Sequence, residues 1–128
     1  MIYPKCQLWG ENFSPSEIKD IPNIIIQDLN EPGEVSNLGR YKDLPTPYGA
    51  CSLHTPEEIR SENKIEWMAD FILKNKPCFE NAGATDITFW IHWTGIQGNM
   101  ELSVIQLKKI AKTKVPLCMT YMYEEIDE

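Results

Sequence analysis

Residues 2 to 9 alternate. Ile2, Cys6 and Leu8 fall on one face and Tyr3, Lys5, Gln7 and Trp9 on the other, the period of a half-buried strand that Gly10 ends. Ser14-Pro15-Ser16-Glu17 has the form of a capping box with proline in the first turn, which predicts a short helix to about Asp20. Ile24, Ile25 and Ile26 are a brief β-branched run, read as a strand or the buried end of this helical corner. From Asn30 to Gly49 the chain carries three prolines and three glycines with no apolar period, so a long surface loop is expected there. Ala50 to His54 is short and strand-like. Thr55-Pro56-Glu57-Glu58 repeats the capping-box spacing and predicts a helical turn, redirected near Ser61.

The clearest helical stripe lies between Glu62 and Asn75, where Ile65, Met68, Ala69 and Ile72 recur at i, i+3, i+4 and i+7 and Trp67 and Phe71 widen the face. Period two returns in the next segment: Ile87, Phe89, Ile91 and Trp93 alternate with Thr88, Trp90, His92 and Thr94, as in a central strand. Met100 and Leu102 continue that alternation beyond a glycine-bearing turn, which predicts an antiparallel hairpin. Ser103 then caps a helix to about Lys112 that buries Val104, Leu107, Ile110 and Ala111. The last strand runs from Val115 through Tyr123, with Pro116 near its start suited to a sheet edge. The order predicts a single α+β domain over 1–128. Its sheet is mainly antiparallel with helices on one face, and its C-terminal half has the ferredoxin-like βαββαβ rhythm.

Composition narrows the function classes. The hydrophobic fraction of 42% and charged fraction of 24% are those of a folded soluble chain. Nineteen carboxylates against twelve Lys and Arg give −7, which argues against nucleic acid as a direct partner and favours a cationic one. Cys6, Cys51, Cys78 and Cys118 form no close pair and sit among apolar neighbours, so they read as buried reduced thiols. With no leader-like N-terminus and no apolar run of about 20 residues, a cytoplasmic location and no membrane contact are expected.

Catalytic chemistry finds little to stand on. His92 is the natural candidate for a general base, but no spacing places an orienting carboxylate or a nucleophile beside it, so His92 and His54 read as scaffold. Two histidines and four scattered cysteines lack zinc-ligand spacing, and no phosphate-binding or nucleophile-elbow motif occurs. The reading is therefore of no catalytic residues, no cofactor and no metal. For binding, Trp9, Tyr48, Tyr121 and Tyr123 are the candidate aromatic anchors. Glu31, Glu34 and Asp43 in the long loop, and Glu124, Glu125 and Asp127 at the C-terminus, are the acids that would ring them.

The segment Gly10-Glu11-Asn12-Phe13-Ser14-Pro15-Ser16-Glu17-Ile18 follows the first strand, and Gly33-Glu34 lies in the next loop. Together with the helix near 62 to 75 and the Leu107-containing helix before an alternating last strand, this pattern resembles the small bacterial DUF4279 family. The chain departs from that pattern between Ile21 and His54, where the loop is long and the usual tryptophan-bearing strand reads Ala50-Cys51-Ser52-Leu53. The resemblance implies a binding role of the immunity-protein kind, in which the chain covers the basic active-site cleft of a cognate toxin, a nuclease for preference. A small enzyme using His92 and a homo-oligomeric scaffold pairing through a sheet edge are the alternatives.

Overall fold

A computed structural model describes residues 1–37, 39–96 and 98–123. The elements are β1 (Ile2–Gly10), β2 (Ile25–Asn30), β3 (Gly49–His54), α1 (Lys64–Asn81), β4 (Asp86–Gly95), α2 (Val104–Lys112) and β5 (Leu117–Tyr123), with 3-10 turns at Pro15–Ile18 and Ser61–Asn63. The five strands form one sheet in the order β2-β3-β1-β4-β5. Three of its four pairings are antiparallel and β4 with β5 is parallel. The α+β class and mainly antiparallel sheet are as the pattern of the sequence predicts.

Two crossovers, β3-α1-β4 and β4-α2-β5, step the same way across the sheet. Crossovers of one hand then put both helices on the same face. The helices touch there: Lys109 Nζ lies 2.8 Å from Asp70 Oδ2, and Lys76 Nζ donates to the Thr113 carbonyl at 3.2 Å. Beneath them Cys6, Leu8, Leu53, Phe89 and Ile91 from three strands meet Met68, Ile72 and Phe79 of α1, all with no exposed surface. Phe13 and Ile18 close the core at the end of β1.

Several local expectations are corrected. No strand forms at Met100 to Leu102; the chain there leads into α2, and the partner of β4 is the parallel β5. The βαββαβ rhythm therefore reduces to βαβαβ, because a strand of that length with Glu101 between its two apolar residues has no edge to join once β5 has taken it. α1 runs on to Asn81 through Pro77, where the periodicity ended at Asn75. Burial of Phe79 and Ala82 beyond the proline offsets the hydrogen bond it removes. Neither N-terminal capping box forms. The Ser14 side chain caps no backbone amide of its own turn, meeting only the Ser16 hydroxyl at 2.9 Å, and residues 55–58 make only a turn closed by the Ile59 amide to the Pro56 carbonyl at 3.2 Å. The capping box that does form belongs to α2, between Ser103 and Gln106.

The apolar stripe of α2 is the largest departure. Ile110 alone is buried, while Val104 is 66% and Leu107 49% exposed and Ala111 is exposed. Cys6 and Cys51 are buried as expected, but Cys78 is exposed and Cys118 half-buried.

Candidate binding face

The opposite face of the sheet carries no helix among the described residues. It is made by the other half of each alternation: Tyr3, Lys5, Gln7 and Trp9 on β1, Thr88, Trp90, His92 and Thr94 on β4, with Ser52 and His54 on β3. Along it runs a row of rings. Tyr41 meets Tyr48 edge-on at 6.1 Å, Tyr48 tilts against Trp9 at 5.5 Å, and further along the sheet Trp90 and His92 stack at 5.5 Å and 4° from parallel. Tyr3 lies across from His92 in the β1–β4 register. Cations sit on the rings: Lys5 Nζ is 5.8 Å from the Trp90 centroid, and the Arg40 guanidinium 5.7 Å from that of Tyr41.

The long loop is anchored where it supports this row. Asn30 Nδ2 donates to the Tyr48 carbonyl at 2.9 Å, the Gly33 amide to the Thr46 carbonyl at 2.7 Å, and the Asp43 amide to the Ser36 carbonyl at 2.7 Å. Two isolated bridges, Val35 with Pro45 and Ser36 with Lys42, fold it back on itself. At its base, a Cβ on Gly49 would overlap the Phe13 carbonyl, so only glycine lets the loop return against the turn that follows β1. Leu29, Val35 and Leu44 stand 46%, 60% and 58% exposed around Glu34 and Asp43.

Trp9 and Tyr48 are thus brought together, with Glu34 and Asp43 on the adjoining loop. Glu31 is otherwise employed: it accepts from the Ser14 hydroxyl and the Ser16 amide, each at 2.8 Å, doing for the 3-10 turn what the expected capping box does not. Tyr121 and Tyr123 do not join the set. They lie at the Gly95 end of the sheet and with the parity of the helix face, and the length of β1 separates them from Trp9 by roughly 24 Å. Tyr121 packs on Trp93 at 4.4 Å and donates its hydroxyl to the Gly95 carbonyl at 2.8 Å. Glu124, Glu125 and Asp127 lie outside the described residues.

The two histidines share this face with Lys5. Burial and the Lys5 charge lower the pKa of both, and for His54 Asp28 opposes that shift. Their Nε2 atoms are buried and accept or donate no hydrogen bond among the described residues. The stack on Trp90 holds His92 in place, and among the described residues no carboxylate hydrogen-bonds it as a base would need. Among the described residues there is no group of three or more His, Cys, Asp or Glu able to hold a metal ion, and no helix is long and apolar enough to cross a membrane. The two core thiols are inert: burial pushes the Cys51 thiol up to about 12, and the Cys6 thiol higher still.

The row was only half legible beforehand. Trp9 and Tyr48 stand out as aromatics near a loop, but Tyr3, Trp90 and Tyr41 needed the sheet order, because alternation alone does not say which face the helices cover. No protein-family model, curated protein or solved structure matches the chain.

Proposed function

We propose that this chain is a binding protein that docks a protein partner on the helix-free face of its sheet, in the manner of a cytoplasmic immunity protein neutralising a toxin. The observation that supports this reading is the row Tyr41-Tyr48-Trp9, half-buried where the loop meets the sheet, with half-buried Trp90 and exposed Tyr3 beyond it on a face that carries no helix among the described residues. Tryptophan, tyrosine and arginine are the residues that dominate interface energies, and a strand framework presents them at little entropic cost. The immunity context comes from the DUF4279-like pattern of the sequence, and the toxin, a nuclease for preference, is the partner that context implies.

Charge enters the proposal at the rim. On the loop, Glu34 and Asp43 flank Arg40 and Lys42, and Lys5 lies on the face itself. Four of the nineteen carboxylates fall in the last five residues, which leaves fifteen against twelve cations elsewhere. The central contact is therefore aromatic, and the C-terminal acids supply attraction toward a basic partner.

The test is capture of the partner from the native host with the tagged protein, followed by binding kinetics. Association should slow as salt rises, and Tyr48→Ala and Trp90→Ala should each weaken the complex at least about tenfold. An association rate indifferent to salt removes the electrostatic part; undiminished affinity in both variants removes the face.

A further inference from the structure

The sheet has two edges and treats them differently. β2 is blunted: its register slips between Gln27 and Asn30, and Asp28 sits there with φ 51°, exposed and charged. β5, Leu-Cys-Met-Thr-Tyr-Met-Tyr, has no charge, no proline and no bulge within its seven residues. Its hydrogen-bonding phase is fixed by the Phe89 amide donating to the Pro116 carbonyl at 2.9 Å. In a parallel ladder this turns the backbone groups of Leu117, Met119, Tyr121 and Tyr123 away from β4, toward the open side.

The uncovered stripe of α2 borders the same edge. Lys109 is turned to Asp70 of α1, so on a 3.6-residue helix Val104, Leu107 and Ala111 lie on the flank away from α1. The β4-α2-β5 crossover puts that flank on the β5 side. Below it, on the helix face, stand Met119, 46% exposed, and Tyr123, 65% exposed. These side chains and Met122 present on the order of 500 Å² before the strand backbone is added, against ~800 Å² per partner in a standard interface.

From this we infer that β5 pairs antiparallel with β5 of a second copy, α2 against α2, making a two-fold dimer with one ten-stranded sheet. A second copy fits because a self-complementary strand offers matching free groups to its own inverted image, and an isologous contact closes at two. Full overlap sets Thr120 opposite its counterpart, with Met119 exchanging backbone hydrogen bonds with Tyr121 and Leu117 with Tyr123 across the axis. The helix-free face then runs unbroken through both copies, and the long loops stand at the far ends.

Sedimentation of the full chain at micromolar concentration tests this. Wild type should run at twice the 14.8 kDa chain mass. Val104→Lys/Leu107→Lys, at positions already solvated in the single chain, and Met119→Pro, which deletes one outward amide, should run at one chain mass with folding intact by circular dichroism. In a Cys78→Ser/Cys118→Ser background, which removes the exposed and half-buried thiols, Thr120→Cys treated with diamide, which takes up the two thiol hydrogens, should give a disulfide-linked dimer. Facing Cα atoms in such a pair lie ~4.5 Å apart, within disulfide reach. Gln27→Cys on the other edge should not cross-link. A wild type at one chain mass overturns the inference. So does a dimer that survives the α2 double variant, or one that cross-links through Gln27→Cys rather than Thr120→Cys.

Discussion

Glu31 holds Ser14: one carboxylate oxygen accepts the Ser14 hydroxyl and the other the Ser16 amide, both at 2.8 Å, tying the loop after β2 to the turn after β1. An acidic residue that reads from the sequence as part of a docking surface is thus a clamp. Glu31→Ala should lower unfolding free energy by about 1–2 kcal/mol, the cost of a lost cap with a charged acceptor. Glu34→Ala, which removes a single exposed bond from the Glu31 amide at 3.1 Å, should cost less than Glu31→Ala, about 0.5 kcal/mol. Urea denaturation of the two variants side by side checks the contrast.

The imidazoles set a pH dependence. Folding lowers the pKa of His54 and His92 below their ordinary 6.5, so between the two values the unfolded chain binds more protons than the folded one. Their contribution is complete above about 6.5 and is lost as pH falls below it. Unfolding free energy should be flat from pH 7 to 8 and decline toward pH 5, and His54→Gln/His92→Gln should flatten that decline. Urea midpoints across the range measure it.

At Gly49 the obstacle is backbone. A methyl there overlaps the Phe13 carbonyl, which belongs to a buried turn and cannot swing aside as a side chain would. Gly49→Ala should cost about 2–3 kcal/mol, read as a fall in thermal midpoint, while Gly33→Ala meets nothing within 4 Å and is opposed only by its φ of +83°.

Thiol reactivity should divide by position. Cys78 is exposed on α1 and should be labelled by a maleimide in the native protein within the reagent's ordinary time course. Cys6 and Cys51, whose burial disfavours the thiolate, should be labelled only on unfolding. Mass spectrometry with and without denaturant reads the order directly.

Tyr121 separates stability from binding. Its hydroxyl satisfies the Gly95 carbonyl and its ring covers Trp93. Tyr121→Phe should cost about 1 kcal/mol of folding free energy and leave partner affinity unchanged, whereas Tyr48→Ala, which strips a half-buried ring from Trp9 and Tyr41, should lower affinity as well as stability. Paired thermal melts and binding measurements on both variants decide this.

The strands and the main helix were legible because burial on one side imposes a period on sequence. Ile87, Phe89 and Ile91 announce β4 as clearly as Ile65, Met68 and Ile72 announce α1. What alternation does not carry is which strand lies beside which. Met100 and Leu102 have the right phase for a hairpin, and only the distant claim of β5 on the same edge of β4 excludes it. Caps failed for a related reason: Ser14 has the sequence position of a capping residue, yet the Glu31 carboxylate, 17 residues away, takes the Ser16 amide that a cap would bind. The candidate face was hidden by the same ambiguity, since Trp90 and Phe89 look equally apolar until α1 chooses between them.

The position of β1 governs how this chain is built. Of the five strands β1 comes first in sequence yet occupies the middle of the sheet, and both of its neighbours come later, β3 at Gly49–His54 and β4 at Asp86–Gly95. Throughout translation of the intervening residues its Cys6 and Leu8 stripe has only nascent chain to shelter it, and the sheet cannot close until β4 is out. Closure of this sheet therefore waits for β4, and a product stopped short of residue 95 carries an unsealed seam beside β1.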